Sequence, residues 1–133
     1  MEPEVSKLIR DIACRFADDP RNKCMIASTQ LVDALRDSPI VFEDGDLQII
    51  GVRNPTGRTQ SITGLAPIHF VVQIRQHVAD TTWGQVDRDS TSPWRVYDSL
   101  TDLGADWRCA FYEDSTPRQP LDIGHGVCPV PLN

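Results

Sequence analysis

No run in these 133 residues approaches the ~20 apolar residues that a membrane-crossing helix requires, so no membrane partner is expected. Clustered Lys and Arg are also missing. With 13 basic against 19 acidic residues and a formal net charge of −6, the chain lacks the basic surface that a nucleic-acid backbone demands, and no nucleic-acid partner is expected. The opening MEPEVSKLIRDIACRF is acidic and helically patterned, without the positive and apolar regions of a Sec signal, which leaves localisation unassigned. Cysteine is sparse, four in all, at 14, 24, 109 and 128. No pair has the C-x-x-C spacing, so the residues could form two disulfides in an oxidising compartment or stay free elsewhere.

Metal and phosphate motifs are equally thin. His69 and His77 would lie ~26 Å apart on one extended strand, too far to share an ion. His125 and Cys128 in HGVC have workable spacing but supply only two ligands. GVRNPTGRT has five residues between its glycines and Arg58 in place of lysine, so it departs from a phosphate loop, and no helix follows it. Ser61 and Ser99 lie in no G-x-S-x-G elbow. Neither a metal nor a cofactor is expected.

What is present is an ordinary globular composition, 40% hydrophobic and 24% charged, which fits one domain over 1–133. Residues 1–39 read as the helical part. Val5, Leu8, Ile9, Ile12, Ala13 and Phe16 form the stripe of a helix over about 4–17, with Cys14 expected in the core. A second helix begins near Cys24, buries Ile26, Ala27, Leu31, Ala34 and Leu35, and ends ahead of Pro39. The mainly β part runs over 40–112. LQIIGVR (47–53), IHFVVQI (68–74) and WRVYDSL (94–100) are its strand candidates. In the second, His69, Val71 and Gln73 share one face while Ile68, Phe70, Val72 and Ile74 share the other. Four prolines fall in the tail from 115 on, so 113–133 reads as irregular chain, expected to pack across the sheet through Val127, Val130 and Leu132.

Three side chains make a chemical constellation. Cys24 in the first turn of a helix would meet unpaired backbone N–H groups and the positive end of the helix dipole, which favour thiolate. A cysteine nucleophile needs a base, and His69 on the clearest strand is the candidate. If 68–74 and 94–100 pair antiparallel about Trp83–Gly84, the residue opposite His69 is Asp98, close enough to hold one imidazole nitrogen. A slip of one residue would turn Asp98 to the other face. His77 and His125 have polar or Gly-Pro surroundings and read as surface. Asn22, just before the helix, reads as a cap. Trp83, Trp94 and Trp107 read as core or loop anchors.

The segments KCMIASTQLVDAL, SITGLAPIHFVV and RVYDSLTDLGADW, spanning 23–107, resemble the papain-fold cysteine hydrolases, in particular the small papain-fold toxin domains of bacterial polymorphic toxins. The resemblance implies an α+β, papain-like fold with N-terminal helices on a small antiparallel sheet. It also implies a Cys24–His69–Asp98 triad that forms a thioester at a protein amide, as a protease or a glutamine deamidase. A protein substrate, an immunity protein or inhibitor as partner, and delivery into a target cell's cytoplasm belong to the same implied picture. Two departures stand out: the stretch between the histidine and aspartate strands is long, and the family's oxyanion-hole glutamine has no counterpart upstream of Cys24. A catalytically inactive binding module of the same fold is the alternative.

Overall fold

The computed structural model describes residues 1–54, 68–87 and 89–128. The loop reading of 55–64, the SITGLAP segment, Ser61, Arg58, Val130 and Leu132 lie outside them.

Helix α1 (Pro3–Arg15) starts on a proline, whose fixed φ and missing N–H suit a first turn, and buries Val5, Ile9, Ile12 and Ala13. Cys14, expected in the core, is exposed, because it falls just off that stripe. Helix α2 (Cys24–Arg36) buries Cys24, Ala27, Ser28, Leu31 and Leu35, steps of three and four that set one face inward. Ile26, expected on that face, is exposed.

The strands are β1 (Leu47–Arg53), β2 (His69–Ile74), β3 (His77–Asp80), β4 (Arg95–Tyr97), β5 (Cys109–Tyr112) and β6 (Gln119–Leu121). They form one antiparallel sheet in the order β4-β3-β2-β1-β5-β6. Helices α3 (Trp83–Val86) and α4 (Leu100–Leu103) are single turns in the connections. The molecule is therefore a mixed α+β structure with its N-terminal helices laid on an antiparallel sheet.

The sheet has two apolar faces. On one, Leu47, Val72, Ile74 and Ala79 pack under Ile9 and Ile12 of α1 and Leu31 and Leu35 of α2. On the other, Ile50, Val52, Val71 and Val78 pack with Trp83, Tyr97, Leu103, Trp107 and Ile123. The alternation along β2 places His69 on this second face, with Val71.

Two expectations fail here. The strand 68–74 does not pair with 94–100: β2 turns directly into β3, with Ile74 opposite His77, and β4 pairs with β3 instead. The hairpin turns at Arg75-Gln76, with Arg75 in the left-handed region at φ 57°. That conformation usually selects glycine, asparagine or aspartate. Here tertiary contacts hold it: Arg75 pairs with Glu2, donates to the Val41 carbonyl oxygen at 2.9 Å and lies over the Phe42 ring. The second failure is the tail. It contains β6, Val127 is 61% exposed, and among the described residues of the tail Ile123, fully buried, and Leu121 pack on the core.

Candidate active site

Three elements converge at one end of the sheet. Cys24 is the first residue of α2, and the apolar packing of Ala27, Leu31 and Leu35 on Val72 and Ile74 aims that helix start at the beginning of β2. Asn22, expected as a cap, instead takes a left-handed turn (φ 60°) and is exposed. The N-cap residue Lys23 makes no side-chain cap, and among the described residues the first backbone N–H groups of α2 are left to a sulfur or an oxyanion.

His69 opens β2 and is wholly buried. Its carboxylate partner is not Asp98. Asp98 follows β4, two strands from β2, and is exposed; the adjacent Ser99 accepts the Asp102 N–H and starts α4. The partner is Asp80, the last residue of β3. Continuing the β2–β3 register sets Val71 across from Asp80 and His69 diagonal to it on the same face, within reach of a ring and a carboxylate. His69 Nε2 meets Asp80 Oδ2 at 2.7 Å, and Asp80 Oδ1 accepts the Thr82 N–H at 3.0 Å. Both carboxylate oxygens are thus fixed, and both side chains are 0% exposed.

Nδ1 of His69 is buried and has no hydrogen-bond partner among the described residues, which makes it the ring nitrogen available to the neighbouring Cys24 thiol. Burial pushes the Cys24 thiol up, but its interaction with the His69 ring and the Phe70 backbone N–H outweigh that, and the thiol falls below its ordinary value. Burial would push His69 down; the charge and hydrogen bond of Asp80, with help from Cys24, win and raise it to about 10. Thiol and imidazole therefore favour each other's charged form, and their protons titrate as a coupled unit.

Trp107 lies flat against the His69 ring, with centroids 5.2 Å apart and planes 13° from parallel. It shields the ring face from water. Asp106, next to it, accepts the Tyr97 hydroxyl at 2.6 Å and pairs with Arg95 at 3.2 Å, while Arg95 sits over both the Trp83 and Tyr97 rings. Burial, with the hydrogen bond and charge of Asp106, raises the Tyr97 hydroxyl well above its usual range against the opposing charge of Arg95. A cavity of about 340 Å³ is lined by Phe16, Pro20, Thr81, Gly84 and Ser90. Cys24, His69 and Asp80 are not among its lining residues.

The remaining candidates resolve simply. Cys128 is disulfide-bonded to Cys109, and His125 Nε2 hydrogen-bonds the Gly104 carbonyl oxygen at 2.7 Å, so HGVC presents no open ligand pair. Among the described residues no group of three His, Cys, Asp or Glu side chains could hold a metal, and no helix is long and apolar enough to cross a membrane. His77 is half-buried and His125 exposed, while Trp83 and Trp107 are core residues.

The signal for Asp80 was present in HVAD, where Val78 and Asp80 alternate onto one face, but it becomes readable only once the turn at Arg75 is known. Comparison with profiles of known families, with curated proteins and with solved structures finds no match for this chain.

Proposed function

We propose that the protein is a cysteine hydrolase of papain-like architecture, acting on protein amide bonds through Cys24, His69 and Asp80. The observation that carries this reading is the buried 2.7 Å contact of His69 with Asp80, on a ring whose other nitrogen is left for a thiol at a helix start. Asp80 holds the imidazole and stabilises its cation. The Cys24 thiolate attacks the amide carbonyl carbon, and the tetrahedral oxyanion meets the Cys24 backbone N–H at the uncapped end of α2. His69 then gives its proton to the leaving nitrogen, the C–N bond breaks, and a thioester remains. Water, deprotonated by His69, attacks the thioester, and the thiolate leaves.

The same chemistry cleaves a peptide bond or deamidates a glutamine, so the substrate is a protein in either case. A bacterial effector context, with an immunity protein as partner, comes from the sequence resemblance.

The test incubates the protein with a panel of unfolded proteins and reads the products by mass spectrometry. New termini identify a protease; a gain of about one mass unit with ammonia release identifies a deamidase. Turnover needs thiolate and imidazolium together, so the rate should rise through the lowered Cys24 value and fall as pH passes the raised His69 value near 10. A product that forms equally with Cys24→Ser protein would contradict the proposal.

A further inference from the structure

The chain after β6 returns to the face that carries the triad. Ile123 is fully buried in the same cluster as Leu103 and Trp107. Gly104 has no room for a side chain, because a Cβ there would run into the Ile123 carbonyl oxygen. His125 binds the Gly104 carbonyl oxygen, and Cys128 is bonded to Cys109 at the start of β5. The segment 122–128 therefore grips the 104–109 connection at both its ends. Trp107, the ring that covers His69, sits inside that grip.

We infer that the Cys109–Cys128 disulfide is a redox-responsive clamp on Trp107, closed when oxidised, and that its reduction by a dithiol lowers the reactivity of Cys24. This rests on the hydrolase reading of Cys24, His69 and Asp80. In the step, one thiolate of the reagent attacks the sulfur of Cys128, the less buried residue of the pair, and the second thiolate resolves the mixed disulfide. Two electrons and two protons pass to the protein, which gains two thiols, and the reagent leaves as its cyclic disulfide. Segment 122–128 then loses its covalent tie to β5 and is held by the Ile123 and His125 contacts and by the weaker approach of the Cys128 sulfur to the Arg108 carbonyl oxygen. Loosening it exposes Trp107 and lets water reach His69, which weakens the attraction of Asp80 for the imidazolium and with it the support for the Cys24 thiolate.

The experiment measures iodoacetamide labelling of Cys24 against pH, by peptide mass spectrometry. It compares the oxidised full chain, the same chain reduced with dithiothreitol and desalted, and Cys128→Ser. Reduction and Cys128→Ser should each raise the labelling midpoint by about one pH unit, which is about a tenfold loss of labelling rate below the midpoint. Gly104→Ala, which displaces Ile123 while leaving the disulfide intact, should shift it the same way, and it decides the matter if the reduced chain loses its circular dichroism. Equal midpoints in all folded forms overturn the clamp. A midpoint near ~8.5 already in the oxidised chain instead overturns the hydrolase reading on which it rests.

Discussion

Asp80→Asn should lower turnover by about 10³–10⁴-fold with the fold retained, while Asp98→Asn should leave it unchanged. The asparagine is nearly isosteric, and its amide oxygen can still accept the Thr82 N–H that Asp80 Oδ1 accepts now. The charge is what disappears. Without it, the wholly buried ring no longer gains enough from its partner to stay cationic against the cost of burial. The asparagine can also offer an N–H where the carboxylate only accepted, which favours the wrong imidazole tautomer. Asp98 is exposed and two strands from β2, so its substitution changes only a solvated charge. Rates from the mass-spectrometric product assay, measured on both variants, check the pair.

Replacing His69 has a different signature. His69→Ala should destabilise the protein by about 3–5 kcal/mol, because Asp80 is left as a buried carboxylate without its cation. A cavity under Trp107 adds to the loss. Much of this should return in His69→Ala/Asp80→Asn, since the second change removes the stranded charge. Urea unfolding of wild type, both single variants and the double variant isolates the coupling. A double variant as unstable as the sum of the two singles would show that the two side chains do not act as a pair.

Much of this site can be read from the chain before any coordinates are known. Helical spacing locates α2 and puts Cys24 in its first turn; alternation locates β2 and puts His69 on the face it occupies. Both signals are local. Asp80 depends on a register, and the register depends on a turn at Arg75-Gln76 that carries none of the usual turn residues. Glu2, Val41, Phe42 and Asp46 hold that turn from elsewhere in the chain, which no short window of sequence reveals. The Cys109–Cys128 bond is hidden for a similar reason, since four cysteines allow several pairings and only the return of the tail past Gly104 selects one. The exposure of Val127 and burial of Ile123 follow from that same return.

The pH dependence of Cys24 alkylation tests most directly whether Cys24 and His69 share charge. His69→Gln suits the comparison better than alanine, because its amide can still donate to Asp80 and keeps the fold. Cys14, a free and exposed cysteine, serves as an internal control in the same labelling reaction. In the wild-type chain Cys24 should label with a midpoint below the ordinary thiol value of ~8.5, and in His69→Gln the midpoint should rise to that value or above it, as burial then has only the Phe70 N–H against it. Cys14 should not change. Identical Cys24 profiles in the two chains, with circular dichroism showing both folded, would contradict the account and leave the fold as a binding module rather than an enzyme.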